Sequence, residues 1–380
     1  MEPVTHFLTG AAISRTGLNR KTALATLTLV LAAEAPDIDM VFFAFGRVTG
    51  FGHHRGMTHT LLGAPFVAAV VLGIVYCIHR WQEQRRVQKE REKAEAEEAR
   101  KAANPERYKA DDHVPIVIEP LPVRWKLLYG YALLGVISHL LLDFTNSYGV
   151  RVFAPFNWKW YSWDIVSIVE FSILIPLVLA MVGPWFFALM GSELGARRQR
   201  FRGRPSAIVA LIIMVLVWWV RDYNHRRAVT LLKNDVYDGQ EPSKVFAGPY
   251  SLNPFRWLGV VETAVGYHSI IVDTLHDEVD PQKDAIARFK PEETAITAAA
   301  KGSRLGKFYL DWAKFPQTEV EMVSDTEGGG AIVHIHDLRF VYPENKDNFL
   351  GIAVTLDRQN HVVEQMMGDR MERCNDPSCQ

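Results

Sequence analysis

The chain has 380 residues, 48% of them hydrophobic and 22% charged, with a formal net charge of -1. That balance excludes a disordered chain and a strongly basic nucleic-acid binder, so no nucleic-acid partner is expected. The average conceals two unlike parts: residues 1–220 carry a balance of +6, residues 221–380 one of -7, and every long apolar stretch lies in the first part. The pattern predicts an α-helical polytopic membrane domain over 1–220 followed by a soluble α+β domain over 221–380.

In chain order, Glu2 stands where a secretory signal would carry its basic region, which argues against a cleaved signal peptide. Residues 4–17 admit two readings. They form either a short helix descending into the bilayer before the basic turn Asn19-Arg20-Lys21, which puts the N-terminus outside and lifts His6 to the layer of the other ionisable residues, or an amphipathic helix on the cytoplasmic surface with His6 uninvolved. Apolar runs near 20 residues follow, the length a helix needs to cross about 30 Å of hydrocarbon. Thr22–Gly46 is long enough but contains Glu34, Asp37 and Asp39 with Pro36 among them. Leu61–Ile78 is uncharged, Leu127–Leu142 contains His139, Phe171–Ser192 holds Pro176 and Pro184, and Ser206–Val220 contains Trp218 and Trp219.

Basic residues set the orientation. Twelve lie in Arg80–Lys126 and five in Arg197–Arg204, against two in Phe144–Trp163. The positive-inside rule puts the first two loops in the cytoplasm and the third outside. Residues 80–126 then form a cytoplasmic charged helix over Trp81–Ala103 and an extended linker through Pro115, Pro120 and Pro122. Phe153–Trp163 is an aromatic belt at the outer surface, with membrane lipids as its neighbours. The expected location is the inner membrane, with 221–380 in the periplasm, where a Cys374–Cys379 disulfide is permitted. Within that domain Trp257–Thr263, Tyr267–Thr274, Ile332–Val341 and Leu350–Leu356 read as strands. Glu292–Lys301 and Ser303–Lys314 read as helices, and Gly328–Gly330 as a turn. His334 and His336 share a strand face, which permits metal binding, and an ordinary surface pair is the preferred reading.

Ionisable residues inside spans are costly and point to function. Here they gather at one depth near the outer face: Asp37 and Asp39, then His53, His54 and His59, then His139 and Asp143, then Asp164 and Glu170. His139 and Asp143 are i,i+4 and share a helix face. Imidazole with carboxylate is a ligand set for a first-row divalent metal, zinc first, with manganese or iron as other candidates. Asp37, Asp39, His59, His139 and Asp143 exceed what one tetrahedral ion needs, which suggests more than one ion or ligands with supporting partners. Arg55 offers a fork of donors to a substrate phosphate, and pairing with Asp37 or Asp39 is its other reading. Glu34 reads as buried and protonated, or paired, and Asp164 as a helix cap. No CxxC pattern exists, so a thiolate zinc site is excluded.

Val4-Thr5-His6, Pro36-Asp37-Ile38-Asp39, His54-Arg55-Gly56-Met57-Thr58-His59 and His139-Leu-Leu-Leu-Asp143-Phe-Thr-Asn-Ser-Tyr148-Gly149 occur in that order. Together they resemble the LexA-regulated, membrane-bound metal-dependent hydrolases of bacteria, over about residues 1–190 and again near Leu252–Trp257. That family is regarded as distantly similar to zinc-dependent phospholipase C and P1-type nucleases. The resemblance implies His6, Asp37, His59, His139 and Asp143 as metal ligands, with Asp39 and His54 close by and Glu170 at a further acidic position.

These readings lead to a hydrolase that uses metal-activated water, with Asp39 or Asp37 orienting the water and Arg55 on the substrate. A lipid or other phosphoester is the expected substrate. Two other classes fit the same residues: an ion or proton translocator, which internal repeats would favour and which this chain lacks, and an envelope scaffold with a structural metal.

Overall fold

The computed structural model describes residues 1–103, 121–193, 203–276, 279–323, 330–343, 350–368 and 370–373. Two half-length helices open the chain, α1 (Pro3–Arg15) and α2 (Ala25–Glu34). The chain then narrows to a 3-10 segment, Ala35–Phe45, instead of continuing the expected Thr22–Gly46 helix. Pro36 accounts for the change: it has no N–H to donate into a helical ladder. A short α3 (Arg47–His53) and a 3-10 turn at Met57–His59 lead into α4 (Ala64–Ala103). α5 (Trp125–Thr145), α6 (Phe171–Glu193) and α7 (Arg204–Asn234) complete the helical part.

Among the described residues, three helices are long and apolar enough to cross a membrane, within α4, α5 and α7, and the apolar helix over Phe171–Phe187 joins them. α4 merges the expected span with the expected charged helix in one 40-residue rod. Its second half is exposed and laced by pairs such as Arg86–Glu90, 3.3 Å apart, as alternating charge on a solvated helix requires.

Close approach holds the first helices together. A Cβ on Gly10 would stand 2.8 Å from the Leu29 carbonyl oxygen, and one on Gly135 would stand 2.6 Å from Ala32 Cβ. α2 is therefore gripped between α1 and α5 through small residues, the usual device where lipid gives no hydrophobic drive. The basic turn is anchored at the start of α5, with the Arg124 N–H donating to Thr22 Oγ1 at 2.9 Å and Thr22 Oγ1 donating to the Pro122 carbonyl at 3.1 Å. So α1 descends from the end of the bundle where α5 finishes, and α2 climbs back to it. This is the first of the two readings of residues 4–17.

The C-terminal part is α+β. One antiparallel sheet has the order β1 (Lys244–Pro249), β2 (Arg256–Glu262), β3 (Gly266–Asp273), β4 (Ile286–Phe289). A one-turn helix, α8 (Pro281–Asp284), precedes β4, and two helices follow it, α9 (Ala295–Gly302) and α10 (Arg304–Trp312). The second sheet runs β5 (Pro316–Val323), β6 (Gly330–Asp337), β7 (Ile352–Asp357), β8 (Val362–Met367), β9 (Arg370–Arg373). The expected strands and helices are all present, with β1, β4, β5, β8 and β9 in addition. His334 and His336 lie on β6 and face Glu321 and Glu319 across β5, at 3.6 and 3.4 Å. His113, Pro115, Pro120, Gly328, Gly329, Cys374 and Cys379 lie outside the described residues.

The two parts share cores. α7 runs unbroken past position 220, and its Ala228 and Leu232 are buried with Trp257, Val261 and Ile270 of the first sheet. Val48 and Phe51 of α3, with Tyr148, are buried among Leu305, Tyr309, Trp312, Val333 and Val354. The C-terminal part thus sits directly on the segments that carry the candidate ligands.

Candidate metal centre

Asp37, His59, His139 and Asp143 converge, each offering one ligand atom, and these atoms all lie within 4.8 Å of one another. Three elements deliver them: the 3-10 segment after α2, the turn before α4, and α5, which supplies two positions one helical turn apart. His59, His139 and Asp143 are fully buried, whereas the Asp37 side chain keeps 15% exposure, so the cluster opens beside Asp37.

Hydrogen bonding sets the tautomers. His139 Nδ1 lies 2.6 Å from the Ala33 carbonyl oxygen. A carbonyl only accepts, so Nδ1 carries the proton and donates it, which in the neutral ring leaves Nε2 bare toward the cluster. Ala33 is available because Pro36 cannot donate to it as the next residue of a 3-10 ladder would. His59 Nδ1 lies 3.2 Å from Asp39 Oδ2, which likewise turns its bare Nε2 inward. The two Nε2 atoms are 3.1 Å apart. Asp37 Oδ1 is 3.3 Å from His59 Nε2 and 3.5 Å from His139 Nε2, while Asp143 Oδ2 is 3.5 and 3.3 Å from the same two atoms. Four acceptors facing one another repel unless a cation lies among them.

His6 adds a fifth group. Its ring stacks on His139 with centroids 3.8 Å apart, and its Nε2 is 3.4 Å from Asp143 Oδ1. Both of its ring nitrogens are buried without a hydrogen-bond partner, as is Asp143 Oδ2. Buried polar atoms are rarely left so. The residues present therefore fit a divalent metal.

Asp39 belongs to a second group, with Asp37 and His54. Its Oδ1 is 3.0 Å from His54 Nδ1, and its Oδ2 accepts from the Arg55 N–H at 2.9 Å and from Thr58 Oγ1 at 3.0 Å. It orients both imidazoles, a load that leaves it poorly placed to take a proton from water. Arg55 has a left-handed backbone (φ 56°), which turns its N–H onto Asp39 and its side chain the other way. Its Nη2 donates to Asp143 Oδ1 at 2.8 Å, its Nη1 to the Gly149 carbonyl at 2.9 Å, and its guanidinium lies 4.5 Å above the Tyr148 ring. The ion pair is thus with Asp143, where the sequence suggested Asp37 or Asp39. The Met1 α-amino group also bonds Asp143 Oδ1.

The structure does not bring Glu170 into this cluster. Both its oxygens accept from Arg221 Nη2, at 2.9 and 3.0 Å, and Ser172 Oγ donates to Oε1 at 2.6 Å. Arg221 in turn donates to the carbonyls of Tyr250 and Asn253, so this buried pair fastens the 250–253 loop to α6 and α7. Asp164 caps no helix, since α6 begins at Phe171, and lies 3.4 Å from Lys314 Nζ. Burial lowers the Lys314 ammonium below its ordinary value, with Asp164 opposing. One Glu34 oxygen is buried without a partner. His53 Nδ1 lies against the Thr49 carbonyl at 2.9 Å, apart from both groups.

Sequence reasoning missed the contribution of the C-terminal part. Trp312 Nε1 donates to the Tyr148 carbonyl at 2.9 Å and Arg339 Nη1 to the Ser147 carbonyl at 2.6 Å. Both grip the loop whose Gly149 carbonyl holds Arg55. No short-range signal in the sequence links positions 164 and 192 residues apart.

Fold and site together define a helical membrane protein with a buried histidine–aspartate cluster able to bind metal. The chain belongs to the YdjM inner membrane protein family, which matches residues 1–228. It is 22% identical over 362 residues to the uncharacterized protein YfhP of Bacillus subtilis (strain 168), a similarity covering 89% of this chain and 92% of that protein. No solved structure matches it significantly.

Proposed function

We propose that this protein is a metal-dependent hydrolase of the inner membrane acting on a phosphoester or lipid-linked phosphate, with its C-terminal domain in the periplasm. The observation that carries the reading is the convergence of two bare Nε2 atoms and two carboxylates, with His6 unpartnered beside them. His6, Asp37, His59, His139 and Asp143 hold the metal, zinc being the best match to the donor set. Asp37 is common to both groups, which suits a second ion shared through that carboxylate. A bound divalent cation supplies Lewis acidity and lowers the pKa of water at the site.

The chain's own residues divide the remaining work. Asp39 and the Ala33 carbonyl fix the tautomers of His59 and His139, support that typically matters about 10–100-fold in metal affinity. Asp37, the most exposed carboxylate of the cluster, is the group placed to orient an incoming water. Arg55 holds a positive charge against Asp143 and keeps its Nε buried without a partner, so that N–H is left to donate to a phosphoryl oxygen.

The test is elemental analysis and phosphoesterase assay of the purified protein beside His139→Asn and Asp143→Asn. Amides preserve hydrogen bonding but not ligation, so each change should lower metal content sharply and abolish turnover while the protein remains inserted. Full metal occupancy in the double substitution would remove the hydrolase reading. A half-length α2 ending at buried charges also suits an ion-translocating protein. Ion flux into proteoliposomes without phosphoester turnover would favour that class.

A further inference from the structure

A cleft of about 430 Å³ opens between the 146–170 loop and the C-terminal part, lined by Trp158, Lys159, Trp160, Lys244, Trp312 and Lys314. Lys159 and Lys244 line it beside Asp311, a carboxylate already engaged by Arg151 and by Trp160 Nε1 at 3.2 Å, while Lys314 Nζ pairs with Asp164 at 3.4 Å. The excess of positive charge stands against its background, since residues 221–380 are acidic overall yet contribute two of the lysines. Lys159 and Lys244 are exposed. Lys244 Nζ donates to the Lys314 carbonyl at 2.6 Å, which fixes it at the cleft and leaves further N–H donors.

Depth narrows the ligand class. The loop that forms one wall also displays Phe153, Phe156 at 86% exposure and Trp158 at 48%. Such aromatic residues belong in the headgroup layer, where the membrane presents its phosphates. Trp163 Nε1 donates to Asp222 at 2.8 Å, tying the loop to the point where α7 leaves its apolar stretch. The cleft is also one ring from the metal centre. Trp160 and Trp312 pack on Tyr148 at 5.9 and 4.9 Å, and the opposite surroundings of Tyr148 are Arg55 and His54, the latter at 5.9 Å.

We propose that this cleft binds the phosphate-bearing headgroup of an anionic lipid and holds it beside the metal centre. The assignment of that lipid as substrate rests on the phosphoesterase reading, but binding itself does not, so binding is what the test measures. Full-length protein in neutral detergent is titrated calorimetrically with dihexanoyl phosphatidic acid, dihexanoyl phosphatidylcholine and inorganic phosphate, each with and without a chelator. The anionic lipid should bind more tightly than the zwitterionic one. The Lys159→Glu, Lys244→Glu double variant should weaken it about tenfold or more, at unchanged metal content. Lys159→Glu alone, at an exposed loop position, should fold normally and show a several-fold loss. Equal affinity for both lipids, or an unchanged affinity in a folded variant, overturns the proposal. Inorganic phosphate binding as tightly as the lipid would assign the cleft to free phosphate and overturn the lipid assignment. Headgroup binding that persists in a protein lacking metal and turnover would keep the cleft and sink the hydrolase reading instead.

Discussion

Asp39 and Asp143 are buried carboxylates with different loads. Asp39 is saturated by an imidazole N–H, a backbone N–H and a hydroxyl, whereas Asp143 leaves Oδ2 without a donor between two bare nitrogens. Asp39→Asn should therefore weaken metal binding by about 10–100-fold, the usual cost of removing an orienting partner, without abolishing it. Competition against a chelator measures this, and a loss as complete as that of Asp143→Asn would make Asp39 a ligand instead. Glu170 is expected to behave otherwise. Glu170→Ala leaves the Arg221 guanidinium buried without its counter-charge, a change that costs about 3–5 kcal/mol. Thermal unfolding in detergent should shift down while metal stoichiometry per folded protein is unchanged. A stoichiometry that fell instead would return Glu170 to the metal centre.

At the scale of elements, the position of α2 between Gly10 and Gly135 controls the site, because Ala33 near its end sets the tautomer of His139. Gly135→Leu cannot be housed against Ala32 and should cost about 1–3 kcal/mol or more and lower metal content. Gly130, where a Cβ would meet nothing within 4 Å, is the control, and Gly130→Ala should leave both quantities unchanged. The spans of α4, α5, α6 and α7 were legible as apolar runs, and the i,i+4 spacing of His139 and Asp143 placed them on one face. The 3-10 conversion after α2 was signalled only by Pro36 and the carboxylates around it. Strands β2, β3, β6 and β7 were legible because both faces are largely covered, or alternate cleanly. β5 was not, since Glu319 and Glu321 on its exposed face dilute the apolar signal. The Glu170–Arg221 pair spans 51 residues and no local pattern announces it.

At the scale of the molecule, the C-terminal part is a continuation of the site's support. A chain ending after Asn234 loses Trp312 and Arg339 from the 147–148 carbonyls and uncovers Val48, Phe51 and Tyr148. We expect this truncated chain to insert but to bind metal more weakly than the full chain, by titration in detergent. Equal affinity would show that the grip of the C-terminal part is dispensable. Leu232→Ala, buried between α7 and the first sheet, should cost about 2–5 kcal/mol in the melting of the C-terminal part. Sidedness is tested separately. Reporter fusions at Ala103 and at Asn360, a surface turn with φ 64°, should report opposite compartments. The same compartment for both would discard the periplasmic assignment.

The first two helices rise only about 20 and 15 Å, so neither crosses the bilayer. Their turn is fastened at Thr22 to Pro122 and Arg124, a hundred residues downstream. During synthesis His6 and Asp37 consequently have no settled seat until α5 has left the ribosome and entered the membrane beside them. The order of ligands along the chain is therefore not the order in which they become usable. A nascent chain shorter than about 145 residues cannot assemble the cluster, and any metal it takes up would be acquired late, from whichever compartment the finished bundle faces.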